Sequence, residues 1–301
     1  MQFDIPTLDL QVSPLGGSED FLFGAGTEVE GIHSRNIEFD GGDCSRRGEI
    51  VKRPANEGHG YIKLFPPSEF VPCFTAYNLF ELRRHRDVFD EFIKFFGIYP
   101  SFITTPFQFI LEAEITAKGR TKVNDILLYA FTPLGSNSSF QLVEFIDNLF
   151  RDPTMANLEH EWRNRNQGVL DDWLINKANF SPTSSVPNAR DAKQFVHDAS
   201  IDTLCHIYPE LVQSSIDTNN IVLLQSFPSL QIMLYSQYYR IFDPAWKPND
   251  QEVIDVCISA CAPYVDAIIT ENFQAEIYKK VHKYINGMSA IITTLRDIRH
   301  H

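Results

Sequence analysis

Between Asp250 and Thr294 the apolar positions change period three times, and each change marks a new element. Val253, Ile254, Cys257, Ile258, Cys261 and Ala262 recur at helical spacing behind an Asn249-Asp250 cap, and Pro263 is expected to end that helix. Val265-Asp266-Ala267-Ile268-Ile269-Thr270 is short, apolar and β-branched, which predicts a buried strand closing at Glu271-Asn272. Phe273, Ile277, Val281 and Tyr284 return to helical spacing. Asn286-Gly287 supplies a left-handed stop, and Ala290 to Leu295 predicts a second buried strand. Helix, strand, helix and strand in this order make an α/β crossover. It brings Asp255 and Thr270-Glu271-Asn272 toward the carboxyl ends of the strands, where open α/β sheets bind ligands.

A similar pattern stands earlier. Glu69 to Thr75 predicts a strand with a proline suited to an edge or a strand start. It feeds a helix from Ala76 to Arg86 that points Leu79 and Phe80 inward, with Phe89 and Phe92 continuing the apolar face and Glu81 ahead of Arg83, Arg84 and Arg86. A second helix, Thr105 to Ile115, carries the acidic pair Glu112 and Glu114. Residues 117–248 read as a mainly helical insertion, with helical spacing over Leu142–Phe150, Met155–Ala178, Ala189–Tyr208 and Ile221–Phe242. Trp162 and Trp173 are read as packing residues. The first sixty residues are less regular: Asn36-Ile-Glu-Phe-Asp40-Gly-Gly-Asp43 is a short strand-like run ending in acids and glycines, which alone reads as a surface turn.

The order of these pieces resembles PIN-domain ribonucleases. The matching residues are Asp255-Val-Cys-Ile-Ser-Ala-Cys-Ala, Ile268-Ile-Thr270-Glu-Asn272, and Glu81 on the helix that follows a strand. The resemblance covers about 36–116 and 249–297. It implies a three-layer α/β/α core around a parallel sheet, with residues 1–116 as its first half behind an extra N-terminal segment, 117–248 as the insertion and 249–301 as its second half. It also implies a metal-dependent endoribonuclease, in the role of a toxin or defence effector, with RNA as substrate and an antitoxin or a second copy of the chain as partner. Asp40, Glu81, Asp255 and Asn272 then form the catalytic set, with Asp40, Glu81, Asp255 and Asp266 as ligands of Mg²⁺ or Mn²⁺. Asp43 and Asp20 are alternatives for the leading acid, and Asp266 either joins the site or caps the turn after Tyr264. Hard oxygen donors suit these ions, which organise a water nucleophile and neutralise phosphodiester charge. Thr270 is expected to orient a carboxylate or water by its hydroxyl. Arg83, Arg84 and Arg86 either contact phosphates or form a solvated helix face.

Composition narrows the rivals. An apolar fraction of 44% and 38 aromatic residues over 301 positions exclude a disordered chain, and no apolar run is long enough to span a membrane. Met1-Gln-Phe-Asp is not a signal-peptide opening, so a cytoplasmic location is expected. Cysteines at 44, 73, 205, 257 and 261 are scattered and read as reduced thiols. A net charge of −13 disfavours broad nucleic-acid binding but allows a local basic groove. Phe21 to Val29 lacks the third glycine of G-x-G-x-x-G, and Asn164 stands where H-E-x-x-H needs its second histidine. No nucleophile elbow occurs. Two other classes remain: a PIN-like scaffold or protein-interaction module without catalysis, favoured by the acidity and by Asn272 in place of an aspartate, and a helical α/β protein unrelated to nucleases.

Overall fold

A computed structural model of the chain describes residues 35–39, 70–97, 100–131, 138–218, 226–245, 247 and 251–298. Six strands form one sheet: β1 Arg35–Phe39, β2 Phe70–Thr75, β3 Ser101–Thr104, β4 Leu127–Phe131, β5 Ala267–Thr270 and β6 Ile291–Thr294. Their order is β4-β3-β2-β1-β5-β6, and every neighbouring pair is parallel except β3 and β4. The chain therefore winds outward from β1 through β2 and β3, then crosses back to lay β5 and β6 on the other side. Phe39, Thr75, Thr104, Thr270 and Thr294 end the five parallel strands at one carboxyl edge.

Alternating side chains explain why helices cover both faces. Cys73 belongs to one apolar cluster with Tyr238, Val256, Ile268 and Tyr278, whereas the next residue, Phe74, belongs to another with Phe80, Phe92, Ile146, Trp162 and Ile254. On the second face α1 (Ala76–Arg84) and α2 (Arg86–Phe96) follow β2, and Phe74 meets Phe92 and Phe96 edge to face at 5.1 and 5.0 Å. Thr75 caps α1 reciprocally: its hydroxyl accepts the Asn78 N–H at 3.1 Å while its own N–H donates to Asn78 Oδ1 at 2.9 Å. Helix α3 is Phe107–Ala117, ending in a left-handed Lys118, and a single turn, α4 (Val123–Ile126), leads into β4.

The remaining helices are α5 Ser138–Leu149, α6 Pro153–Asn179, α7 Ala189–Ile207, α8 Pro209–Asp217, α9 Pro228–Ile241, α10 Gln251–Ile258, α11 Asn272–Val281 and α12 Leu295–Ile298. Asp152 and Asn188 cap α6 and α7 by accepting first-turn N–H groups. Trp162 and Trp173 are both buried, as expected of packing residues.

Several expectations need correction. Besides its helices, 117–248 holds a strand not expected from its sequence: β4 pairs antiparallel with β3 and extends the sheet. The same segment contributes to the core: α9 is buried over most of its length against α10, α11 and the 3-10 turn Ser259–Tyr264. Pro263 does not stop the chain after α10 but lies inside that 3-10 turn. Pro72 is in an interior strand, tolerated because pairing with β3 begins only at Cys73. In addition, β6 is an edge strand with Ile291 exposed, not a buried one.

Candidate functional site

The winding reverses at β1, and in doubly wound sheets the crevice at such a reversal is the natural ligand site. Phe39, the last residue of β1, is in register with Ile269 of β5. Thr270 ends β5 in a buried position, Glu271 is half-buried and extended, and Asn272 opens α11 exposed at the same edge. Asp40 follows β1 directly in sequence; it lies outside the described residues, as do Asp43 and Asp20. Thr75 and Thr104 are in register at the ends of β2 and β3, as Thr270 and Thr294 are at the ends of β5 and β6, so a row of threonines lines the edge. The buried Thr104 hydroxyl has no hydrogen-bond partner among the described residues.

Asp255, the fifth residue of α10, is buried beside this edge and is held by an arginine that the sequence did not mark. Arg240 of α9 is 1% exposed; its Nη2 lies 3.3 Å from Asp255 Oδ2 and 2.6 Å from Gln274 Oε1, and its Nη1 lies 3.7 Å from Glu252 Oε2. Gln274 in turn donates to Ser236 Oγ at 3.3 Å, and the guanidinium sits 5.5 Å from the centre of the Phe273 ring. A guanidinium removed from water needs charged and hydrogen-bonding partners: α10 supplies the two carboxylates and α11 the amide carbonyl. Glu252 and Asp255 thus bring two carboxylates to one guanidinium. The only sequence signal was an arginine inside the apolar run Tyr238-Tyr239-Arg240-Ile241.

Glu81 is buried on α1, which packs against α10, so the helices carrying Glu81 and Asp255 are neighbours. The arginines that follow do not gather at the edge. Helix α1 leaves the edge at Thr75, and Arg83 stands eight residues on, about 12 Å along the axis. Arg83 Nε lies 3.6 Å from Glu159 and Nη1 4.0 Å from Asp147, with the guanidinium over the Phe150 ring at 4.0 Å. Arg86 pairs with Asp90 at 3.1 Å, and Arg84 is exposed. Arg84 and Arg86 thus face solvent, whereas Arg83 is half-buried among residues of α5 and α6. Asp266 is also separated from the other acids: it is exposed and precedes β5, a four-residue strand about 13 Å long, so it stands at the opposite edge. Its carbonyl accepts the Ile291 N–H at 2.8 Å.

Glu112 and Glu114 do not act as a pair. Glu112 is exposed, accepting from the Tyr208 hydroxyl at 3.3 Å. Glu114 is fully buried: Oε1 accepts the Ser229 N–H at 2.8 Å and the Tyr264 hydroxyl at 2.5 Å, and Oε2 accepts the Ser229 hydroxyl at 2.7 Å. Ser229 lies in the first turn of α9, whose N-cap residue, Phe227, has no side chain able to cap. Glu114 thus caps α9 from another helix. Burial pushes its carboxyl up to about 7, against the opposing pull of those hydrogen bonds and of Arg120. Burial and the nearby Asp255 push the Cys257 thiol up to about 12, consistent with an unreactive packing thiol.

Among the described residues, no three His, Cys, Asp or Glu side chains gather closely enough to hold a metal ion. No helix among them is long and apolar enough to cross a membrane. No protein-family model, curated protein or solved structure matches the chain.

Proposed function

We infer that the chain is a PIN-like, metal-dependent ribonuclease acting at the carboxyl edge between β1 and β5. The observation that carries this reading is the reversal of winding at β1, with Asp40 following β1, Thr270-Glu271-Asn272 following β5 and Asp255 buried beside them on α10. The donors are carboxylates and an amide carbonyl, so the chemistry of the set fits Mg²⁺ or Mn²⁺. Asp40, Glu81, Asp255 and Asn272 would hold the ion, which supplies a polarised water and neutralises phosphodiester charge. Arg240 is a positioning residue, since it fixes the Asp255 carboxylate through Oδ2. Thr270 orients a neighbouring carboxylate or water at the strand end.

A second reading, a catalytically inactive scaffold, is favoured by the same arginine: Arg240 neutralises Asp255 without any metal. Cleavage of single-stranded and structured RNAs with Mn²⁺ or Mg²⁺ separates the two. In the nuclease, Glu81→Gln and Asp255→Asn each lower the rate by at least ~10²-fold, and Mn²⁺ raises the melting temperature of the parent but not of Asp255→Asn. Asparagine still accepts from Arg240, which limits the structural cost. No cleavage and no thermal shift with either metal would establish the scaffold, and cleavage unchanged in both variants would place the chemistry elsewhere.

A further inference from the structure

An open groove of about 720 Å³ runs between α7, the first half of α9 and the 3-10 turn His282–Tyr284. Arg190, Lys193 and His197 project from one side of α7 at spacings of three and four residues, facing Gln231 and Tyr235 of α9 and Tyr284. None of the described residues lining the groove is acidic. Of the neighbouring acids of α7, Asp202 lines a separate cavity beside α6; Asp198 lines that cavity too, but its carboxylate also holds the edge of the groove, accepting from Gln194 at 2.9 Å and lying 3.0 Å from His197 Nδ1. In a chain of net charge −13 the exposed Arg190 and Lys193 still make the groove locally basic. Tyr284 adds to it: Lys193 Nζ lies 4.3 Å and Lys283 Nζ 5.1 Å from its ring centre, and the Tyr235 ring packs against it at 6.0 Å.

We propose that this groove binds single-stranded RNA, with Arg190 and Lys193 on successive phosphates and the amide of Gln231 and the partly exposed ring of Tyr284 toward the bases. Cations tracking a backbone beside an aromatic ring are the means by which proteins hold single strands without reading sequence. An acidic peptide would use the cations but leave the ring and the amide without a role. The groove is also placed to serve the carboxyl edge. Helix α9 starts beside Tyr264, which precedes β5, and ends with Arg240 on Asp255. Gln231 and Tyr235 are therefore roughly 7–14 Å from Arg240 along the helix axis, a span of a few nucleotides. The substrate class rests on the ribonuclease reading; the groove itself does not.

The test is fluorescence anisotropy of a labelled twelve-nucleotide oligouridine on the full chain carrying Asp255→Asn, in EDTA so that binding is read without cleavage. Adding Arg190→Gln and Lys193→Gln, both exposed, is expected to weaken binding at least tenfold. The slope of log affinity against log salt should also become shallower by about 1.4, since each single-strand phosphate no longer neutralised by a cation takes about 0.7 from it. Lys122→Gln, an exposed lysine outside the groove, should change neither. Affinity and slope unchanged by the double substitution, an equal effect of Lys122→Gln, or equal competition by polyglutamate at matched charge would each overturn the proposal. A parent that binds through the groove yet never cleaves would refute the nuclease and leave the groove standing.

Discussion

Glu114 makes stability depend on pH in a direction opposite to that of most carboxylates. Its carboxyl is pushed from an ordinary 4.5 up to about 7 because burial disfavours the ion more than Ser229 and Tyr264 favour it. Between those values the unfolded chain has released a proton that the folded chain still holds. Stability is therefore full below about pH 4.5, falls as pH rises toward 7 and levels off above it. A shift of this size corresponds to about 3 kcal/mol, at 1.36 kcal/mol per pKa unit. With an unfolding entropy near 2.1 cal/mol/K per residue, a chain this long should lose about 5 °C in melting temperature. Glu114→Gln isolates the effect. A glutamine carbonyl at the Oε1 position still accepts the Ser229 N–H, and its amide donates to the Ser229 hydroxyl, so the variant mimics the protonated acid without titrating. Thermal unfolding of parent and variant between pH 4.5 and 8 should give curves that agree near pH 4.5 and separate by about 5 °C at pH 8, the variant being the more stable. All other titrating groups cancel in the difference. Parallel curves would refute the assignment of a raised pKa, and a variant less stable at every pH would show that the charged carboxylate is the stabilising cap.

Two further outcomes follow from the same geometry. Arg240→Ala strands Asp255 and Glu252 without their buried cation and should cost about 3–5 kcal/mol in urea unfolding; Asp255→Asn in the same chain should recover part of that loss, and strict additivity in the double-mutant cycle would show that the pair is not coupled. Thr75→Ala removes the reciprocal cap at the start of α1 and should cost about 1–2 kcal/mol by the same measurement, with a neutral result meaning that Asn78 caps the helix alone.

The parts legible from sequence are those whose signals are local. β5 and α11 declare themselves through β-branched residues, a change of period and a glycine at φ 75°, and β2 with α1 does so through Thr75 and the apolar positions that follow it. β1 was obscure because Arg35-Asn-Ile-Glu-Phe has only two apolar residues, yet it is the central strand; pairing on both sides, not composition, makes it one. β4 lay unseen for a different reason: Leu127-Leu-Tyr-Ala-Phe131 is apolar at every position but short, and it stands among helical segments with only one strand neighbour. The candidate site was half legible: Asp255 and Thr270-Glu271-Asn272 follow from the crossover. Arg240 did not, since its partners Glu252, Asp255 and Gln274 are distant in sequence and only the fold assembles them. Glu114 was visible as an acid, but its partner was a helix start that lacked a cap, a signal present at Phe227-Pro228 and easily passed over.

The place of β1 also orders events during synthesis. Its neighbours on one side follow within the first third of the chain, but its neighbour on the other, β5, comes near the end, with Phe39 waiting for Ile269. Chains emerge from the ribosome N-terminal part first, and contacts so far apart in sequence form late. The crevice between β1 and β5 cannot form until β5 has been made, because the strand end, Asp255 and the helix that turns Gln274 toward Arg240 all lie far downstream of β1.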